Sequence, residues 1–327
     1  MPRNERSPRD DIRYHANMRN LILAVALAST IVIPSLAQEA KDPAKKVAVY
    51  DVDADAKAQI ERALEQAKLK RTRVLIQWGA NWCGWCVKLD GTMKSAPELA
   101  AELRNEFEYV KINVGRFDIN MDLAAKYGAD LKGNGIPYLT VLSADGETLS
   151  NTETGSLEKD GGHDVSKVLA YLSTHRVERL NADTVMNAAK ERAKLEHKKI
   201  LLHFGAPWCS WCVKLKSWMN RPEIHNIIIK DYIDVEIDTM RDENAGELHR
   251  SYNVYIDKPA GGGIPWFAVV DHNGAKLADS NSSKGNIGFP TAPEEIAHFM
   301  TMLRSTRSTI TDEELATIEA SLAAPQK

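Results

Sequence analysis

The stretch GANWCGWCVKL begins at Gly79, and GAPWCSWCVKL begins at Gly205. From Trp78 to Asp90 and from Phe204 to Lys216, nine of thirteen residues coincide, with Cys83 and Cys209 set 126 positions apart. That interval is too long for a solenoid repeat and suits duplication of a whole domain. The chain has 327 residues, 43% of them hydrophobic, enough for two separate cores. All four cysteines lie inside the two matching stretches.

The flanks repeat as well. An amphipathic helical pattern leads into a short apolar strand before each motif, ending in VLIQW and ILLHF. After each motif come a helical stretch and a strand, EYVKINV at 108–114 and YIDVEID at 232–238. A further helical segment precedes GIPYLTVL at 135–142 and GIPWFAVV at 263–270, each followed by a turn and another strand. A helix closes each copy. This order predicts an α/β fold with a mixed sheet, its last two strands paired as an antiparallel hairpin. Residues 310–323 read as an extra helix capping the second copy.

Residues 21–37 form an uncharged apolar run preceded by Arg13 and Arg19, and Ser35-Leu36-Ala37 offers small residues for cleavage before Gln38. The run is shorter than the ~20 residues of a spanning helix. It predicts a signal peptide over 1–37, with Met18 as a better start than Met1, since Asp10 and Asp11 sit badly in such a leader. An uncleaved membrane anchor is the competing reading. Export places the mature chain in the periplasm or outside the cell, where disulfides persist. A net charge of −3 gives no reason to expect a nucleic-acid partner.

Two cysteines at i and i+3 of a helix lie one turn apart, at a separation a disulfide can close. The first of each pair follows a strand and opens a helix, where unpaired N–H groups and the positive end of the dipole favour a thiolate. Cys83 and Cys209 are therefore the expected nucleophiles, and the more deeply placed Cys86 and Cys212 the resolving thiols. One zinc site shared by all four cysteines is the alternative. The 122 residues between the pairs argue against it, because compact zinc ribbons use ~15–20. Haem attachment requires His after the second cysteine, but Val87 and Val213 stand there. No metal or other cofactor is expected.

Trp82-Cys83-Gly84-Trp85-Cys86 with Ile136-Pro137, and Trp208-Cys209-Ser210-Trp211-Cys212 with Ile264-Pro265, resemble the active-site pieces of the thioredoxin superfamily. The Cys-to-Pro distances of 54 and 56 positions fit that resemblance. It implies two tandem thioredoxin-like domains, over 46–178 and 180–305, each a central mixed sheet flanked by helices, with a C-terminal helix and tail over 306–327. It also implies that Pro137 and Pro265 are cis prolines facing the disulfide. The backbones of Ile136 and Ile264 would then pair with an extended substrate segment. Trp82, Trp85, Trp208 and Trp211 add apolar surface beside the cysteines, suited to gripping a substrate, and packing under a neighbouring loop is the competing reading for Trp85 and Trp211.

The chain departs from the family at two places. Trp85 and Trp211 replace the usual proline between the cysteines. Gln77 and His203 replace a buried aspartate six positions before the first cysteine, and Lys111 and Glu236 occupy the place of its lysine partner. Gln cannot take a proton, whereas His can near neutral pH. A His203–Glu236 pair reads as a base with its orienting carboxylate, and a hydrogen-bonded core histidine at a strand end is the competing reading. The remaining histidines, His163 and His249 among them, read as surface or packing residues.

The expected function is thiol–disulfide exchange on protein disulfides outside the cytoplasm, with an unidentified redox partner. The alternatives are a thioredoxin-fold chaperone or binding module with incidental redox activity, or a metal-trafficking protein. Contact with a membrane is expected only through an uncleaved N-terminal anchor.

Overall fold

The computed structural model describes residues 48–257 and 262–325. The predicted signal segment, its cleavage site and the candidate start at Met18 lie outside the described residues.

Helix α1 (Ala56–Lys70) starts because the Asp55 carboxylate accepts the backbone N–H of Ala58. Its buried Ala56, Ile60, Ala63 and Ala67 recur at helical spacing, and Arg71 ends it in the left-handed region at φ 54°. The second copy repeats each device. In α7 (Ala182–Glu196) Asn181 is the cap, Ala182, Met186, Ala189 and Ala193 are buried, and His197 closes the helix at φ 55°.

The first half then runs β1 (Arg73–Gly79), α2 (Gly84–Ser95), α3 (Pro97–Glu106), β2 (Phe107–Asn113), α4 (Met121–Lys126), α5 (Leu131–Asn134), β3 (Tyr138–Leu142), β4 (Thr148–Glu153), a short ribbon β5 (Glu158–Lys159) and β6 (Gly162–His163), and α6 (Val165–Thr174). The second half has β7 (Lys199–Gly205), α8 (Ser210–Met219), α9 (Pro222–Asp231), β8 (Tyr232–Asp238), α10 (Ala245–Tyr252), β9 (Trp266–Val270), β10 (Lys276–Asp279), a ribbon β11 (Asn281–Ser282) and β12 (Gly285–Asn286), α11 (Pro293–Thr306) and α12 (Asp312–Ala323). The helix after each cysteine pair is broken in two, and the second piece starts at Pro97 or Pro222, because proline cannot continue the ladder but suits a first turn.

The sheet orders are β2-β1-β3-β4 and β8-β7-β9-β10. The first pair in each is parallel and the rest antiparallel. Strands β1 and β7 are central and buried on both faces, so side chains alternate between two cores. Val74, Ile76 and Trp78 pack toward α1, and Leu75 packs toward α2, α3 and α6. Ile200, Leu202 and Phe204 pack toward α7, and Leu201 joins the core under α8, α9 and α11. Leu315, Ile318 and Leu322 of α12 enter that same core, and Trp218 Nε1 donates to Ser321 Oγ at 3.0 Å.

The two halves are joined by buried charge. Arg71 makes a forked contact to Asp242 at 2.8 and 3.1 Å. Arg241 donates to the carbonyls of Lys70 and Arg71 at 2.9 and 2.5 Å, and Arg179 reaches Glu106 at 2.8 Å.

Candidate active sites

Central strands β1 and β7 end at Gly79 and Gly205, and each hands the chain through a short turn to a helix. Cys83 and Cys209 are the N-caps of α2 and α8. Each sulfur accepts the backbone N–H of the second cysteine at 3.1 Å. Those helix-end N–H groups need an acceptor, and a thiolate is a better one than a thiol. The pairs are closed as Cys83–Cys86 and Cys209–Cys212 disulfides, with Cα separations of 5.3 and 5.2 Å.

The loops before β3 and β9 lie over these disulfides, and both Ile-Pro bonds are cis. Cys83 Sγ is 3.5 Å from the carbonyl oxygen of Ile136, and Cys209 Sγ is 3.6 Å from that of Ile264. The loops are pinned differently. Thr154 Oγ1 donates to the Pro137 carbonyl at 3.0 Å, and Asn286 Nδ2 serves Pro265 at the same distance. Trp82, Trp208 and Trp211 are about half exposed at 51%, 46% and 47%, whereas Trp85 is more covered because His163 packs edge-on against it. Lys88 lies over Trp85 and Lys214 over Trp211, at 4.3 and 4.6 Å. Of the histidines read as packing residues, His163 and His249 are buried. His249 stacks on Phe204 and packs at a tilt against Trp266, and burial pushes its imidazole down to about 4.

Under each disulfide, the polar position on the central strand lies in register with the expected partner: Gln77 opposite Lys111 and His203 opposite Glu236. The polar partners of these side chains lie elsewhere. Lys111 turns to Asp90 of α2 at 2.8 Å, and Glu236 pairs with Lys216 of α8. These are the same strand-to-helix bridge with its charges exchanged. The carboxylate that holds His203 is Asp234, 2.8 Å from Nε2. Asp234 lies two residues before Glu236 and so projects from the same face, within an imidazole's reach, while Glu236 is drawn off by the ammonium of Lys216. Burial pushes the His203 imidazole down, but Asp234 beside it more than reverses this and leaves it above its ordinary value.

The expectation that both resolving cysteines are the more shielded of their pairs holds only for the first site. Cys86 is fully buried against 6% exposure for Cys83, whereas Cys212 at 8% is no deeper than Cys209 at 6%. The difference is Tyr50, a residue that the sequence reading did not single out. Tyr50 is fully buried and packs with Cys83 and Cys86 in one small cluster. Asn81 holds it from both ends, accepting from Tyr50 N at 2.9 Å and donating to Tyr50 O at 2.8 Å. The counterpart of Asn81 is Pro207, which has no amide for such a clasp. That single Asn/Pro difference inside two nearly identical motifs was the available signal.

A thioredoxin-like family model matches residues 55–144 and 181–272, each span covering one helix–strand–CxxC–strand unit. The chain belongs to the thioredoxin-like family, and each half carries a Cys-x-x-Cys disulfide at the start of the helix after its central strand. It is similar to protein disulfide-isomerase 1 of Dictyostelium discoideum, 25% identical over 150 residues, or 43% of this chain; the match spans 38% of the length of that relative. Among solved structures it is similar to a disulphide isomerase from Xylella fastidiosa Temecula1, at 33% identity over 39% of this chain and 95% of the other, TM-score 0.36. It is also similar to the C-terminal domain of Neisseria meningitidis DsbD in the oxidised form, at 19% identity over 38% and 97%, TM-score 0.30.

Proposed function

We propose that this chain is a thiol–disulfide oxidoreductase that acts on protein disulfides outside the cytoplasm through two sites. The observation that carries this reading is the same in both halves: a cysteine pair at a helix N-terminus with its first sulfur against the carbonyl of the residue before a cis proline. The apolar segment 21–37 supports the location.

In the reducing direction, the Cys83 or Cys209 thiolate attacks one sulfur of a substrate disulfide. That bond breaks, a mixed disulfide forms, and one substrate thiolate leaves. The Cys86 or Cys212 thiol then loses its proton and attacks the sulfur of its partner cysteine. The internal disulfide forms and the second substrate thiolate leaves. Two electrons pass to the substrate, whose thiolates take up the two protons that the dithiol gives up. Trp82, Trp85, Trp208 and Trp211 supply apolar contact to the substrate chain, and Ile136 and Ile264 present backbone beside Pro137 and Pro265 to it. At the second site His203, oriented by Asp234, accepts the proton of Cys212; Gln77 cannot do the same for Cys86.

Insulin-disulfide reduction driven by dithiothreitol tests the reading. Cys83→Ser and Cys209→Ser should each remove part of the catalysed rate, and the variant with all four cysteines replaced by serine should fall to the uncatalysed rate. Retention of the full rate by the four-serine variant would overturn it. The exposed tryptophans also suit a chaperone, and that reading gains if the four-serine variant still suppresses aggregation while no variant loses reductase activity.

A further inference from the structure

The two sites share their motif but differ beneath the resolving cysteine. Gln77 fixes the direction of a hydrogen-bond chain there. Its Nε2 lies 3.2 Å from the Cys86 carbonyl, which can only accept, so the NH2 group faces that side. The same Nε2 donates to the Tyr50 hydroxyl at 2.5 Å, while Gln77 Oε1 accepts from the Tyr109 hydroxyl. The Tyr50 oxygen therefore accepts a hydrogen bond from Gln77, which leaves its own O–H to donate elsewhere. A β-carbon built on Gly79 would fall 2.1 Å from the Tyr50 hydroxyl and 2.9 Å from Cys86 Sγ, so oxygen and sulfur crowd the same point, and only glycine admits both. At Gly205 the corresponding β-carbon would meet Cys212 itself, at 3.2 and 3.4 Å.

From this geometry we propose that Tyr50, clasped by Asn81, is a positioning residue of the first site that donates a hydrogen bond to the Cys86 thiolate when the pair is reduced. The inference rests on the redox reading above. The donor chain Tyr109 to Gln77 to Tyr50 ends on the sulfur, where charge appears once the resolving thiol loses its proton. A hydrogen bond to an ionised acceptor is about twice as strong as a neutral one. Burial pushes the Tyr50 phenol far above its ordinary range, so it stays protonated and acts as a donor rather than a base. The two sites thus reach a reactive resolving thiol differently: the first stabilises the thiolate, and the second supplies His203 to take the proton. Stabilising the reduced form makes the first pair the stronger oxidant of the two.

The test is equilibration of each pair with a glutathione couple, read by alkylation and peptide mass, in the full chain and in Tyr50→Phe and Asn81→Ala. Loss of the hydroxyl should shift the Cys83–Cys86 equilibrium about tenfold toward the disulfide, which is about 30 mV more negative. The Cys86 thiolate fraction at pH 7, read by alkylation rate in a Cys209→Ser/Cys212→Ser background, should fall about tenfold. Asn81→Ala, which only loosens the clasp, should shift both in the same direction by less. The Cys209–Cys212 equilibrium should not move in either variant. Exchange at both sites with no shift at the first in Tyr50→Phe would overturn this inference and leave the redox reading intact. Failure of either pair to exchange at all would overturn both.

Discussion

Arg241→Ala tests what holds the two halves together. Arg241 belongs to the second half, is 5% exposed, and its Nε bonds Asp238 at 2.5 Å. Its fork also reaches the carbonyls of Lys70 and Arg71, at the end of α1 in the first half. The last carbonyls of a helix have no intrahelical partner, so one half of the chain caps a helix of the other. Truncation removes two charge-assisted bonds and leaves Asp238 buried without its cation. Breaking a buried pair from one side costs about 3–5 kcal/mol. Water reaching the end of α1 returns part of this, so a loss of about 3 kcal/mol is expected, a large share of the ~5–15 kcal/mol of a typical domain. Glu106 gives the loss a pH signature. Its Oε2 has no hydrogen-bond partner and lies 4.0 Å from Arg241. Burial raises this carboxyl above its ordinary range, and Arg179 and Arg241 hold it back. A carboxyl raised in the folded state costs stability once ionised; that cost is absent below its unfolded pKa and complete above its folded one. Without Arg241 the folded value rises further, so the deficit should be largest near pH 7 and shrink as pH falls toward about 5. Urea unfolding at both pH values measures it, and Arg241→Lys, which keeps charge but not the fork, should recover part of the loss. A deficit below about 1 kcal/mol, or one that grows in acid, would refute the capping argument.

The pH–rate profile of the second site should carry an imidazole limb. His203 must be neutral to accept a proton, so turnover through Cys209–Cys212, measured with Cys83 and Cys86 replaced by serine, should fall as pH drops through its raised pKa. His203→Gln should abolish that limb; an unchanged profile would make His203 a packing residue. The proposed export predicts a mature chain that begins at Gln38, and an intact mass from cells that retains residues 21–37 would instead mark a membrane anchor.

The sequence by itself determined the duplication, the element order of each copy and the placement of every cysteine. These features are local or repeated. Capping residues, alternating apolar strands and Cys-x-x-Cys spacing each act within a few residues. The resemblance carried by Trp-Cys-x-Trp-Cys and Ile-Pro supplied the loop that faces the disulfide, which no short-range pattern contains. Partner choice among charged side chains was decided by tertiary structure. Register alone put His203 opposite Glu236 and Gln77 opposite Lys111. A strand neighbour competes with any helix laid across the same face, and Lys216 and Asp90 arrive from α8 and α2 to take those partners. Tyr50 was out of reach for a related reason. It touches Cys86 from 36 positions away, through an irregular segment without periodicity, and what places it is the Asn81 clasp rather than any preference of its own backbone. Nearly identical motifs therefore sit above different side chains, Gln77 with Tyr50 at one and His203 with Asp234 at the other, because the motif fixes the sulfurs while the residues packed beneath them come from elsewhere in the chain.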